Sequence, residues 1–230
     1  MGRDWHRALS GGLLEFDYAD TSGAATAYLV VNLGGTQREF TAGHVELGQA
    51  FLDNFGMKSY SEEFDFAGGQ LRMAGRRLVG STYKSSADVV VATWQASRYS
   101  VSTFAYHSSI NDVLTVFQHL DLHETEFGPT LSPKAGSRLT VSRPAEVTKD
   151  IPGIGPIECM ELTRETARHL PAWKGTRVYG GEVFKDEHVT GDPYYMYVTD
   201  TVVGVLLPSP DITDGEALEL LDGLSLEWTW

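Results

Sequence analysis

The sequence contains a single cysteine, Cys159, so no disulfide can form within the chain. The fold therefore does not depend on an oxidising compartment. Long apolar runs are also missing, since "AYLVVNL" and "VVGVLL" fall well short of the roughly 20 apolar residues that a membrane helix needs. The opening residues "MGRDWHRALSGG" have no apolar signal-peptide core. We expect a soluble protein without membrane insertion, located in the cytoplasm or in an exported particle or virion.

Positive charge is scarce. Lys and Arg together number 18 against 31 Asp and Glu, and the net charge is −13. Proteins that bind nucleic acid nonspecifically use Lys and Arg to neutralise phosphates. The charge balance therefore argues against a nucleic-acid partner and against an anionic membrane surface.

Recognisable catalytic and cofactor motifs are also lacking. The segment "GIGPIE" at 153–158 lacks the third glycine of a dinucleotide loop, and "WKGT" at 173–176 reverses the order of a phosphate-binding loop. No serine lies in a G-x-S-x-G nucleophile elbow. We therefore predict no cofactor, no metal and no catalytic residue, and we interpret the protein as a non-enzyme.

What the sequence does contain is a short phrase written twice. "GRRLVGSTYK" at 75–84 resembles "GTRVYGGEVFK" at 175–185. The matched residues are Gly75, Arg77, Gly80 and Lys84 in the first phrase and Gly175, Arg177, Gly180 and Lys185 in the second. Each phrase precedes a stretch rich in Val, Tyr, Thr and Phe, which favour strands. This similarity predicts an internal duplication.

A helix and a final strand follow in each half. "SINDVLTVFQHL" and "TDGEALELLDGL" carry apolar residues at helical spacing. Each begins with a hydroxyl residue followed three positions later by an acid, which is the signature of a capping box. Ser109 and Thr213 are 104 positions apart, and Leu122 and Leu226 in the predicted last strands have the same spacing.

The rest of the chain gives weaker signals. A hairpin is predicted at the Gly34–Gly35 turn. A helix is predicted over about 45–55, with Leu47, Ala50, Phe51 and Phe55 inward and Gly56 at its end. A shorter helix is predicted near 163–170. The Pro-, Gly- and Ser-rich stretch 128–137 is predicted to be a linker. It divides the chain into an N-terminal α+β lobe, 1–130, and a C-terminal α+β lobe, 131–230.

The segments "GRRLVGSTYK…SRYSVSTFAYHSSINDVLTVFQHLDL" and "GTRVYGGEVFK…YYMYVTDTVVGVLLPSPDITDGEALELLDGLSL" resemble the Mog1/PsbP fold, which also occurs in lipoproteins of the LpqN kind. The resemblance covers roughly the last half of each repeat. It implies an α+β fold of two tandem lobes, each an antiparallel sheet flanked by helices. Unlike the lipoproteins, this sequence has no signal peptide and no lipobox cysteine. The family implies binding, scaffolding or assembly rather than a particular reaction.

Three polar groups deserve a chemical interpretation. In "HLDLHETE", His119, Asp121 and His123 share one face if all lie on a strand, and are metal-ligand types. If His119 ends the preceding helix, that face is broken. "KDEHVTGD" gathers Asp186, Glu187, His188 and Asp192, either as a cation or acid–base site or as a solvated hairpin tip. Cys159 is either a nucleophile or a small buried apolar residue.

Aromatic residues are concentrated near the end of the chain: Tyr194, Tyr195, Tyr197, Trp228 and Trp230. Exposed aromatics anchor protein interfaces, so these five form a candidate interface. The alternative is that they fill the core. The leading hypothesis is a non-enzymatic binding or assembly protein with a protein partner or a homo-oligomeric state, such as a subunit of a bacterial or phage particle. The alternative is a ligand-binding module or an enzyme with a cleft between the lobes.

Overall fold

A computed structural model describes residues 2–78 and 87–230, which divide into two compact units. Unit I contains residues 2–26 and 145–230, and unit II contains the described residues of 27–144. The division differs from the predicted boundary at residue 130. The start of the chain belongs with its C-terminal part, and the second boundary lies at 144.

The described strands, in chain order, are β1 (Gly2–Arg7), β2 (Leu13–Tyr18), β3 (Ala25–Leu33), β4 (Thr36–His44), β5 (Glu62–Phe66), β6 (Gly69–Leu78), β7 (Ala87–Gln95), β8 (Tyr99–Tyr106), β9 (Leu120–Thr125), β10 (Gly128–Pro133), β11 (Leu139–Val141), β12 (Glu146–Ile151), β13 (Gly155–Glu161), β14 (Thr176–Val178), β15 (Gly181–Glu187), β16 (Pro193–Val198), β17 (Val202–Leu206) and β18 (Ser225–Thr229). The helices are α1 (Leu47–Asn54), α2 (Ile110–Gln118) and α3 (Asp214–Asp222), with a 3-10 turn at Thr166–His169.

The predicted α+β class, with two lobes of helix-flanked sheets, is wrong. Strands account for 52% of the residues that the structure describes and helices, with the 3-10 turn, for 14%, and thirteen of the described strands belong to long antiparallel ladders. The helices are short, between eight and nine residues. The sequence signal was misleading because capped helices have clear local signatures, whereas many short strands separated by glycine turns do not.

The two units have ladders of the same strand order. Unit II runs β3–β4–β8–β7–β6–β5, with β11 also paired to β3, and unit I runs β12–β13–β17–β16–β15–β14. Each unit then has a helix after its third ladder strand, α2 in unit II and α3 in unit I. A small extra ladder completes each unit: β9 with β10 in unit II, and β1–β2–β18 in unit I.

The repeated phrase does not occupy equivalent strands. Gly75 lies near the end of β6, whereas Gly175 directly precedes β14, whose counterpart in the common strand order is β5. Gly80 and Lys84 lie outside the described residues. The spacing of 104 between Ser109 and Thr213, in contrast, does join equivalent positions, since these residues cap α2 and α3.

Both predicted capping boxes are confirmed. Ser109 accepts the amide hydrogen bond of Asp112, and Thr213 accepts that of Glu216. Each acid in turn accepts from the capping residue's amide and hydroxyl. The pKa of Asp112 is lowered chiefly by the Ser109 amide, and the pKa of Glu216 chiefly by the Thr213 hydroxyl. The helices therefore begin where the hydroxyl residues satisfy the free amides of the first turn.

The predicted inward face of α1 is partly wrong. Ala50 is exposed, and Leu52 is fully buried in its place. Leu52 packs with Met57, Val89 and Val91. The helix ends at Asn54, and Gly56 follows with φ +62°, a conformation that favours glycine. The short helix expected near 163–170 is a single 3-10 turn at Thr166–His169.

The predicted linker at 128–137 is also wrong in its first half. Gly128–Pro133 forms β10, which pairs with β9 in register. Leu131 of β10 is 1% exposed and lies opposite Leu122. Pro129 and Pro133 are tolerated because β9 is the only strand paired to β10 in the described part of the chain.

Candidate functional site

The five aromatic residues predicted to form an interface do not share one surface. Tyr195, Tyr197 and Trp228 are at most 5% exposed, Tyr194 is partly buried, and Trp230 is 74% exposed. Three of the five therefore fill the core of unit I, as the alternative interpretation had it. Trp230 remains at the surface, where its indole N–H donates to Oε1 of Glu161 at 2.7 Å.

Tyr195 belongs to a polar clasp at the start of α3. Its hydroxyl donates to Oδ1 of Asp214 at 2.5 Å, and Nζ of Lys185 donates to the other oxygen at 2.6 Å. Lys185 and Tyr195 are cross-strand neighbours on β15 and β16. The pKa of Asp214 is lowered by the hydrogen bonds from Lys185 and Tyr195. Burial, reinforced by Asp214, raises the pKa of Tyr195 to about 12. A phenol with so high a pKa is protonated at neutral pH and therefore cannot act as a general base. The hydrogen bonds of the clasp instead join the start of α3 to β15 and β16.

The acidic segment 185–192 consists of the end of β15 and the hairpin tip that joins β15 to β16. His188 donates its amide to the Asp192 carbonyl at 2.9 Å, and Thr190 Oγ1 donates to Oδ2 of Asp192 at 2.7 Å. The hydroxyl of Tyr194 donates to Asp186, and its ring lies 4.8 Å from the His188 ring. These contacts use the polar groups to close the turn, as the hairpin interpretation predicted.

The segment "HLDLHETE" is divided between a helix end and a strand. His119 is the C-terminal cap of α2, while Asp121 and His123 lie on β9. Among residues 2–78 and 87–230, no group of three or more His, Cys, Asp and Glu side chains is arranged to hold a metal ion. The face that the three residues would share on a continuous strand is therefore broken by the helix end.

Glu124, which follows His123 in this segment, binds the turn between β7 and β8. Its carboxylate accepts hydrogen bonds from the amides of Arg98 at 2.7 Å and Tyr99 at 3.0 Å, and from the hydroxyl of Ser97. Burial raises the pKa of Glu124, but these hydrogen bonds outweigh it, and the pKa lies below its ordinary value. Glu124 thus fastens the small β9–β10 ladder to the main ladder of unit II.

Cys159 is fully buried on β13. Burial raises the pKa of its thiol, and the neighbouring Glu158 raises it further. The thiolate form needed by a nucleophile is therefore disfavoured. Its position supports the interpretation as a small core residue.

Unit I contains a buried lysine that was not predicted from the sequence. The Lys149 side chain is 2% exposed, and its Nζ donates to Oδ2 of Asp4 at 2.8 Å, to the Thr21 carbonyl at 2.8 Å and to the Gly23 carbonyl at 2.5 Å. Nε2 of His6 lies 3.0 Å from the same Asp4 oxygen. All three ammonium hydrogens are thereby used, which is what a buried lysine requires. The available signal was its place in "VTKDI", where strand alternation puts Lys149 on the same face as the apolar Val147 and Ile151.

An open cleft of about 630 Å³ lies in unit II beside the start of α2. Its lining includes Gly75, Arg77, Asp88, Val90, His107 and Ser108. Charge in the cleft is mixed, since Arg77 and Asp88 are directly opposed on β6 and β7. Ser108 Oγ accepts from Arg38 at 3.0 Å, and Ser109 is engaged in the capping box. The two serine hydroxyls are therefore held by structural partners.

Two exposed aromatic residues of unit I flank its edge strand. Trp173 is 53% and Tyr179 91% exposed, and they lie on either side of β14. β14 is the last strand of its ladder, and no other described strand pairs with its outer side. The segment 172–181, here called the β14 edge, also carries Lys174 and Arg177 and has no acidic residue.

Comparisons with protein families, with curated proteins and with solved structures find no match to this chain. The resemblance to the Mog1/PsbP fold therefore remains a prediction. None of the described helices has the length and apolar character needed to cross a membrane.

Proposed function

We propose that this chain is a non-catalytic binding and assembly protein that associates through the β14 edge. The observation that carries the proposal is the concentration of exposed Trp, Tyr and Arg around an unpaired strand edge. These residue types are enriched at protein interfaces. An unpaired edge offers backbone donors and acceptors to an added strand.

The use of polar groups elsewhere supports a binding role over a catalytic one. Three charged side chains form hydrogen bonds with other residues of the same unit: Lys149, Asp214 and Glu124. Their charges stabilise the fold. A catalytic site needs titratable groups that converge on open space. The clusters described above converge on neighbouring strands and turns.

The proposed partner is a second copy of the chain. The edge strand of unit II, β5, carries the exposed acids Glu62, Glu63 and Asp65 and a partly exposed Phe64. It is the last strand of its ladder, as β14 is in unit I. The basic β14 edge of one copy therefore complements the acidic β5 edge of another, although the chain as a whole is strongly acidic. Such a head-to-tail contact builds rings or filaments.

Light scattering over a range of protein concentrations tests the proposal. The molar mass is expected to rise with concentration, and 0.5 M salt is expected to weaken the association because the contact is charged and exposed. Lys174→Glu with Arg177→Glu should abolish association, as should Glu62→Lys with Glu63→Lys. Mixing the two double variants should restore it, because the charges again complement each other.

Val189→Ser is the matched control, since Val189 is a fully exposed apolar residue at the β15–β16 tip, outside the β14 edge. This variant should associate like the parent protein. A monomer at all concentrations, or association that survives both charge reversals, would overturn the proposal.

A further inference from the structure

The small ladder that completes each unit has the same construction in both. In unit II, the strand after α2 pairs with β10, and in unit I, the strand after α3 pairs with β2. β2 and β10 are each six residues long. Both precede the first strand of a ladder in the chain: β2 precedes β3, and β10 precedes β12 with only the short β11 between them.

The register of the two ladders also agrees. Leu122 pairs with Leu131, and Leu226 pairs with Phe16. Leu122 and Leu226 are the residues at the 104-position spacing that relates α2 to α3. All four side chains are at most 4% exposed. At the other end of each ladder, Thr125 pairs with Gly128 and Thr229 pairs with Leu13, in the same relative positions.

β2 and β10 each pair with a strand from the other half of the sequence. β2 opens the first half of the sequence, but it pairs with the last strand of the second half. When the halves are divided at the β9–β10 turn rather than at residue 130, β10 opens the second half, but it pairs with β9, the last strand of the first. This crossed pairing also explains why residues 2–26 belong to unit I while the chain continues into unit II.

We infer that the two sequence halves are interlocked by exchange of their opening strands, so that the chain is a fused form of a strand-exchanged dimer. The partner that each half fits is another half of the same kind. Exchange of an identical element is a low-cost route to a dimer, because the exchanged strand makes the contacts that a closed monomer would make. The inference is independent of the β14 edge.

The exchanged hairpin β1–β2 is held by more than its ladder. Lys149 on β12 binds Asp4 of β1 and the carbonyls that follow β2. The Trp228 ring packs directly against Gly12. The burial of Leu14 and Phe16 makes β2 a part of the core of unit I. Removing β2 would therefore expose apolar surface that only an equivalent strand can cover.

The test uses the full chain with a protease site inserted between Glu126 and Phe127, in the turn that joins β9 to β10. The protein is folded first and then cut. The resulting fragments, 1–126 and 127–230, are linked by two exchanged strands, one in each direction. The control chain carries the same site between Arg143 and Pro144, in an exposed segment. In this control β10 stays with β9, so that β2 is the one exchanged strand shared between the fragments.

Both cut proteins should remain two-fragment complexes by light scattering. On dilution, the fragments cut at 126 should separate about tenfold more slowly than those cut at 143, the factor that about 1.4 kcal/mol of additional pairing supplies. Refolded alone, fragment 127–230 should form a dimer, or should regain its fold only when fragment 1–126 is added. Equal separation rates, or a folded monomer of 127–230, would overturn the inference.

Discussion

Nζ of Lys149 lies 2.8 Å from Oδ2 of Asp4 and thereby joins β12 to the first strand of the chain. The two residues are separated by most of the sequence. The Lys149 ammonium group has three acceptors, of which Asp4 is one. This contact binds the exchanged hairpin to unit I. Its removal should affect the fold more than any exposed ion pair in the molecule.

Replacement of Lys149 should therefore destabilise the protein strongly. Lys149→Met keeps much of the side-chain volume but leaves a carboxylate and two carbonyls without their donor, so the free energy of unfolding should fall by about 3 kcal/mol. Urea unfolding followed by circular dichroism measures this change. Lys174→Met, on the exposed β14 edge, is the control and should change stability by less than about 0.5 kcal/mol.

The same pair predicts a loss of stability in acid. Burial raises the pKa of Asp4, but the hydrogen bond from Lys149 and the nearby His6 outweigh it, and the pKa lies below its ordinary value of 3.8. A lowered carboxyl pKa stabilises the fold at pH values above that of the unfolded chain, and this contribution is lost as the pH falls through the folded value. Asp4→Asn should flatten the dependence of unfolding free energy on pH below 4. An unchanged slope would contradict the assignment.

Gly12 should be intolerant of even a methyl group. A Cβ built on Gly12 would lie 2.6 Å from Cε2 and 2.8 Å from Cζ2 of Trp228, a buried ring that cannot withdraw easily. Gly12→Ala should lower the unfolding free energy by about 1–3 kcal/mol through overpacking. Gly75→Ala is the control, because the nearest atom to its Cβ is 4.0 Å away. Equal thermal stability of the two variants would show that the Trp228 contact does not constrain Gly12.

The helix caps were predictable because capping is local. Ser109 and Thr213 are each followed three residues later by an acid, and this pattern predicts the start of a helix. The reciprocal hydrogen bonds between the hydroxyl residue and the acid depend only on residues close in sequence. The Gly34–Gly35 turn was predictable for a similar reason, since both residues adopt positive φ. Spacing between these local signals also gave the relation between α2 and α3.

The strand pairing of the two halves was not predictable, because it depends on contacts far apart in the chain. Phe16 and Leu226 are opposed on β2 and β18, and nothing near either residue indicates the other. β10 was mistaken for a linker because its Pro129 and Pro133 are typical of loops. Its edge position, which makes proline acceptable, is a property of the assembled sheet.

The candidate site illustrates the same limit. Tyr195 and Tyr197 alternate on β16 and therefore point to one face, but the sequence cannot say whether that face is covered. In the fold both side chains are buried. The Tyr195 hydroxyl donates to Asp214 of α3, and the Tyr197 hydroxyl donates to the Leu224 carbonyl at 2.9 Å. The exposed Trp173 and Tyr179 lie instead at a sheet edge, and edges are defined only by the strand order.

Tyr195 and Tyr197 should resist ionisation. Burial is the main cause that raises the pKa of each phenol from 10 to about 12. The nearby carboxylate adds to it, Asp214 for Tyr195 and Asp222 for Tyr197. A raised pKa stabilises the fold at pH values below that of the unfolded phenol, and the contribution is lost as the pH rises from 10 to about 12. Tyr195→Phe should therefore reduce the loss of stability over this range. Absorbance at 295 nm should show two tyrosines titrating last, and a single transition near pH 10 would contradict the prediction.

Glu227 should be destabilising where it stands. It lies directly opposite Glu15 in the β2–β18 ladder, and like charges at opposed positions repel. Arg3 lies 3.3 Å from Glu15 on the other side and is shared with Asp17, so it offsets only part of this repulsion. Glu227→Lys should raise the free energy of unfolding by about 0.5 kcal/mol.

Glu227→Gln should give a smaller gain, because it removes the repulsion without adding attraction. The difference between the two variants should shrink in 0.5 M salt, since exposed charges are screened. If Glu227→Lys destabilises the protein at low salt, then β2 and β18 are not paired in this register, and the strand exchange inferred from their pairing also fails.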